Sequence, residues 1–488
     1  MTSSHTGERL GRDEPVEAGN QGRLRGNLGV FGLVFSVLSY NAPLVVVIGF
    51  IPVIVAFGNG LGAPMTFLVM GSLVACFAAG FTTMARYLPN PGAFYAYVTA
   101  GLGKSLGLGA GFISVVGYLC AFTASYIFGG IAFSELVHET YGGPAVPWWA
   151  YTLGLLAAVA VFGYLRIDLS AKVLTVALVA ELVIVVVYDF CVLGKGGPEG
   201  MSFGSFTPQA FLSGSVALAV LWGISMFSGF EVTAIFREET KDPSRTVPRA
   251  TYIVVALIAI LYSVTAWLFI QSFGESRAVT VAAEDSAGSM LTSMGQFGGR
   301  LLVDVATVLV ATSVFATVLT GHNVVARYLY NLSSDGVIPR GLAAVHATQG
   351  SPYRASVVTT VLCALLIVPF AMINVDPAGV YPIYTGVASY VLFIVLLLTS
   401  LSIPLYMNRN HRGVSTVWHT KIAPAIAAIG FAIGLYLATA NITVLVSGST
   451  MMAYGVLIFI YVLFGVGMAM AQWHKRNNPA VYARIGRQ

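Results

Sequence analysis

Charge is scarce in this sequence: Asp, Glu, Lys and Arg make up 9% of its 488 residues, against 57% hydrophobic ones, and the mean hydropathy is +0.82. An ordinary soluble domain carries about 25% charged residues, so a soluble multidomain protein is excluded and an integral membrane protein is implied. Cysteine is scarce as well. Cys76, Cys120, Cys191 and Cys363 stand singly in or beside apolar segments, without the paired spacing of a metal site or a disulfide framework, and read as small core residues. His322 has no second histidine at helical spacing. Nucleotide signals fail in the same way. Gly103-Lys104-Ser105 has the end of a phosphate loop, but Val98 stands where the loop's first glycine belongs. Gly107-Leu108-Gly109-Ala110-Gly111 is followed by Phe112 in the last glycine position of a dinucleotide fingerprint, so these glycines read instead as points of close helix approach. No cofactor, no metal and no ATPase site are expected within this chain.

Long hydrophobic runs are abundant. Crossing roughly 30 Å of hydrocarbon takes about 20 apolar residues, and twelve candidates lie near 29–57, 64–87, 106–137, 148–165, 172–193, 213–236, 250–273, 300–325, 355–373, 380–404, 421–441 and 450–472. Residues 1–27 are polar and charged, and the first apolar run is too long for a signal-peptide core, so no cleavable signal is expected and the tail is placed in the cytoplasm. Alternating through twelve spans then leaves only Lys195, Arg277 and Arg300 as basic residues outside. That asymmetry is the positive-inside pattern, and it supports both the orientation and the count of twelve. It also accounts for the net charge of +5, which therefore carries no signal for nucleic acid. The stretch from Gly274 to Gly299 outside is expected to hold a short interfacial helix.

Two of the runs contain helix breakers: Asn41-Ala42-Pro43 within Leu28 to Phe57, and Ser228-Gly229-Phe230-Glu231 within Val216 to Phe236. Interrupted helices in corresponding halves of a membrane protein point to a solute site at the bilayer midplane. Backbone groups freed there cost several kcal/mol each if they face lipid, so they must face protein or solute. Freed carbonyls suit an ammonium, and half-helix amide ends suit a carboxylate. The candidate solute contacts are Asn41, Ala42, Pro43, Leu44 and Val45 at the first break, Phe227, Ser228, Gly229, Phe230 and Glu231 at the second, and Tyr118 in span 3. Phe227 and Phe230 are candidates for an aromatic lid, with core or lipid packing as the alternative. Glu231 follows the second break and either accepts from the freed amides there or takes part in gating.

Glu181 lies almost midway along span 5, where an ionised acid costs roughly 2.5–3.5 kcal/mol and must face the bundle. Two readings stay open: it binds the coupling proton or contributes to a cation site, or it is a protonated acid making a structural interhelical hydrogen bond. Tyr126 and Tyr384 are further candidates for the cavity wall.

Three stretches in order carry a family resemblance. Pro89-Asn90-Pro91-Gly92-Ala93-Phe94-Tyr95-Ala96-Tyr97 precedes span 3. Ser228-Gly229-Phe230-Glu231 is followed by Glu238-Glu239 and by Asp242-Pro243 to Pro248-Arg249. Arg327 to Pro339 follows span 8. Together they resemble the amino acid, polyamine and organocation transporter superfamily, in its bacterial amino acid permease form, over about residues 28–475. The resemblance implies an all-α polytopic membrane protein of twelve transmembrane helices with a five-plus-five inverted repeat and broken helices 1 and 6. Its parts are a cytoplasmic tail at 1–27, the first repeat at 28–193, the second repeat with its preceding loop at 194–404, spans 11 and 12 at 405–473, and a cytoplasmic tail at 474–488. It implies a secondary transporter of the inner or plasma membrane that takes an amino acid or related amine, with a polyamine or organic amine as the alternative. It also places Glu181 near a lysine of some proton-coupled relatives, and Thr312 and Ser313 where sodium-coupled relatives present hydroxyl ligands, so H+ or Na+ are the expected coupling partners. The sequence departs from the family at the first break, where Val45-Val46-Val47 replaces a Gly-Ser-Gly that often cradles the solute carboxylate. Two other classes fit less well: an intramembrane enzyme using His322 and Asn323, and a non-transporting solute sensor. Neither is the expectation, because the former lacks a second catalytic cluster and the latter an attached signalling domain.

Overall fold

In lipid a chain must satisfy its own N–H and C=O groups, and a sequence of long apolar runs does so as helices. The computed structural model describes residues 29–88, 93–165, 171–231, 233, 240–286, 288–346, 351–413, 415–445 and 449–486, and among these every regular element is helical. Of the features above, the polar tail 1–27, Pro89 to Gly92, and Glu238 with Glu239 lie outside the described residues.

The elements are α1 (Val30–Asn41), α2 (Pro43–Gly49), α3 (Ile51–Phe57), α4 (Ala63–Tyr87), α5 (Ala93–Leu102), α6 (Lys104–Glu135), α7 (Trp148–Leu165), α8 (Ala171–Lys195), α9 (Pro208–Phe211) and α10 (Val216–Ser225). They continue with α11 (Pro243–Phe273), α12 (Ala278–Glu284), α13 (Ser289–Gly298), α14 (Arg300–Ser334), α15 (Tyr353–Met372), α16 (Pro377–Asn410), α17 (Ala423–Ala440), α18 (Ile442–Leu445), α19 (Thr450–Asn477) and α20 (Pro479–Arg484). Among the described residues ten stretches are long and apolar enough to cross a bilayer. The expected run at 148–165 is α7, and the run at 213–236 is represented among the described residues by the shorter apolar helix Val216–Ser225. The chain is thus an all-helical, polytopic membrane protein. The stretch before α14 holds two short helices, α12 and α13, where one was expected.

At the centre stands α6, packed by α16, α19, α14 and α7. Its glycines explain the closeness: a Cβ built on Gly467 of α19 would fall 2.8 Å from the Cα of Gly109, so the two backbones meet only because neither residue has a side chain. On the outside, Ile429, Ile433 and Tyr436 of α17 and Ile458 and Val462 of α19 are exposed, as suits a surface solvated by lipid. At one end of the bundle two of the family-like stretches are tied together. Tyr95 donates its hydroxyl proton to Asp335 Oδ2 at 2.8 Å, and the Gly486 amide donates to both Tyr95 Oη and Asp335 Oδ2, at 2.9 and 3.2 Å. Lys104 Nζ donates to the carbonyls of Tyr482 and Ala483 at 2.7 and 2.9 Å, so the segment carrying α20 straps the ends of α5, α6 and α14.

Candidate functional site

Helix α1 stops at Ala42, which takes φ 50° and ψ 71°, a left-handed conformation unusual for a residue with a Cβ. Pro43 follows with no N–H to give, while its fixed φ suits the first position of a new helix. Regular bonding resumes when Val46 N donates to Ala42 O at 3.2 Å. The second break is built differently. After Ser225 the chain tightens into turns, with Met226 N, Phe227 N and Ser228 N donating to the carbonyls three residues back at 3.3, 3.1 and 3.0 Å. Gly229 then takes φ +103°, and a Cβ there would lie 2.3 Å from the ring of Tyr40. Glycine is therefore required twice, for its backbone angle and for the space.

One side chain joins the two breaks. Asn41 Nδ2 donates to Met226 O at 2.5 Å and to Ser228 O at 3.3 Å, while Asn41 Oδ1 accepts from the Tyr262 hydroxyl of α11. Two buried acids flank this junction. Glu231 has no exposed surface; its Oε1 accepts from the Tyr118 hydroxyl at 2.7 Å and its Oε2 from the Gly229 amide at 2.9 Å. It holds the broken segment to α6. Glu181 is 3% exposed, and its Oε2 accepts from Leu44 N, the first amide of α2, at 3.4 Å. The hydroxyl of Ser313, buried on α14, faces the same carboxylate. Among the described residues the ion pairs are Arg245 with Asp242 and Arg300 with Asp304, both exposed, so neither buried acid has a basic ion-pair partner there.

A cavity of about 140 Å³ lies between the breaks, α6, α14 and α16. Of the residues singled out from sequence, Asn41, Ala42, Val45, Tyr118 and Ser228 line it. Pro43 and Leu44 are buried in α2 behind that wall. Phe230 packs on Phe77 and Phe81, with ring centroids 5.5 and 6.0 Å away, and Phe227 lies against Gly71 of α4, in keeping with the core-packing alternative to a lid. Both rings serve the packing of α4, because the turn at the break points them away from the cavity. The rings that do line it include Tyr40, Phe50, Phe94, Phe122 and Phe128. Thr312 is not brought to the site; it is exposed and bonds the Leu309 carbonyl of its own helix at 2.9 Å, whereas its neighbour Ser313 turns inward to Glu181. Tyr384 instead donates to Leu366 O at 2.7 Å, and His322 Nε2 lies 2.9 Å from Ser356 Oγ. Sequence reading missed Ser225, which hydrogen-bonds Ser389 of α16, and Thr317 and Thr385, all in the cavity wall. Single hydroxyls in apolar helices carry no local signal of which way they face. Tyr262 was missed for the same reason.

Two interrupted helices, clamped to each other around a small cavity inside a helical bundle, belong to a multi-pass membrane protein. The chain belongs to the amino acid permease family, whose model matches residues 26–464. It is 25% identical over 302 residues to the low-affinity putrescine importer of Escherichia coli (strain K12), covering 61% of this chain and 64% of that importer's length. It is 25% identical to a branched-chain amino acid permease of Bacillus subtilis (strain 168), covering 63% of this chain and 67% of the relative. An uncharacterized transporter of Mycobacterium tuberculosis (strain ATCC 25618 / H37Rv) is also 25% identical, over 75% of this chain and 78% of its own length.

Proposed function

We propose that the chain is a secondary transporter that carries an amino acid or related amine across the cell membrane by alternating access, leaving the solute chemically unaltered. The observation that carries this reading is the meeting of both helix breaks at one cavity, with Asn41 and Ala42 on one side and Ser225, Met226 and Ser228 on the other. Backbone carbonyls freed at membrane depth and aromatic faces suit an ammonium group. The names of the relatives, a putrescine importer and a branched-chain amino acid permease, support the same solute range. Transport then consists of a shift between states open to either side, with solute and coupling ion setting the balance.

Glu181 is the proposed coupling group, with Ser313 beside it. The acid touches the first amide of α2, so a proton or cation arriving at its carboxylate acts directly on the broken helix. The architecture we assign to this function has twelve spans, both termini in the cytoplasm, and two repeats at 28–193 and 194–404 whose first helices are the broken ones. A thermal-shift screen of the purified protein against amino acids, diamines and monoamines tests the solute class. Stabilisation by one of these groups is expected. Stabilisation by none of them contradicts the reading.

A further inference from the structure

The Asn41 carboxamide has an orientation fixed by chemistry. Reversing it would set Oδ1 against two carbonyl oxygens and Nδ2 against a hydroxyl that has a better acceptor where it is. Its nitrogen therefore sits as a donor between Met226 O and Ser228 O, at 2.5 and 3.3 Å, and all three residues border the cavity. One nitrogen, two N–H groups and two backbone carbonyls at the edge of a solute cavity is the arrangement that a primary ammonium would make.

We propose that Asn41 is an internal stand-in for the solute's ammonium, occupying the seat on the Met226 and Ser228 carbonyls until a solute bearing N–H donors displaces it, and so sets which amines the site admits. The proposal rests on the transport reading and deepens it. Displacement is favoured because a charged donor makes hydrogen bonds roughly twice as strong as a neutral amide does. Movement is local: the residue after Asn41 is the left-handed Ala42, where α1 has already ended, so the carboxamide can turn without breaking a continuous helix. Tyr262 is a positioning residue, since its hydroxyl anchors the acceptor end of Asn41 and aims the nitrogen at the carbonyls. A seat made of two carbonyl acceptors selects for N–H donors. A fully N-methylated ammonium has none and cannot replace the amide.

The test measures affinity with the purified full chain, using leucine, butylamine and butane-1,4-diamine as probes, each beside its N-trimethylated counterpart, for wild type, Asn41→Ala and Tyr262→Phe. With the stand-in removed, Asn41→Ala binds the preferred primary amine several-fold to about tenfold more tightly, tenfold corresponding to about 1.4 kcal/mol. Tyr262→Phe shows a smaller gain in the same direction, and the trimethylated probe stays weak in the wild type. A residue with only a structural role would lose affinity on substitution, so the sign of the change decides. Unchanged or weaker binding in both variants, beside a wild type that binds, overturns the stand-in and leaves the transport reading standing. Should Asn41→Ala fail to fold, Tyr262→Phe decides alone, by the same sign. A wild type that binds none of the primary amines overturns both.

Discussion

Glu181 and Glu231 are both carboxylates buried at a helix break, and their surroundings give them different work. Glu231 has both oxygens engaged, by Tyr118 and by the Gly229 amide. Glu231→Ala leaves those two donors orphaned at roughly 1–3 kcal/mol each, so a clear fall in the thermal midpoint of the purified protein is expected, and an unchanged midpoint would remove its structural role. Glu181 has one long amide contact, at 3.4 Å, and a serine hydroxyl nearby. Glu181→Gln keeps an oxygen to accept from Leu44 N and loses the proton-binding carboxylate. It is expected to fold, to bind solute, and to lose the pH dependence of uptake; uptake that still follows pH as in the wild type would rule out coupling at this residue. From sequence, the depth of Glu181 marked it as buried, but its partner on α2 could not be read, because that contact joins residues 137 positions apart.

At the scale of elements, the breaks were legible and their wiring was not. Proline and glycine act on their own backbones, so Pro43 and Gly229 announce interruptions locally. Where a side chain then points depends on packing against remote helices: the turn sends Phe230 to Phe77 and Phe81, and only Ser313 of the Thr312-Ser313 pair faces inward. The two breaks also store strain differently. Ala42 sits at φ 50°, so Ala42→Gly relieves left-handed strain of about 1–2 kcal/mol and adds unfolded-state entropy of about 0.5–1 kcal/mol. A small net gain in thermal midpoint is expected, and a loss would show that the Ala42 methyl, which borders the cavity, makes a needed contact. Gly229→Ala works in the opposite sense, forcing a Cβ to 2.3 Å from the Tyr40 ring at a positive φ. Size-exclusion profiles are expected to show little folded protein; a monodisperse variant of wild-type stability would mean that Tyr40 yields freely.

Over the whole molecule, composition alone established a polytopic helical protein, since apolar runs of spanning length leave few other outcomes. One expected span, near 213–236, falls short as a helix among the described residues. It is the helix Val216–Ser225, which ends at the second break. The strap formed by α20 could not be foreseen, because Lys104 and Asp335 are ordinary interfacial residues until the far end of the chain folds back on them. Tyr95→Phe removes the hydroxyl that bridges Asp335 and the Gly486 amide. Faster hydrogen exchange across residues 479–486 is expected, and unaltered exchange would show that Lys104 holds the strap unaided. The central claim, that two clamped breaks form a transport site, is tested most directly by counterflow of labelled amino acid or amine into proteoliposomes preloaded with the unlabelled solute. Accumulation of chemically unaltered label that needs the internal solute is the predicted result. No accumulation by folded protein with a ligand that stabilises it, or label recovered in altered form, would contradict the account.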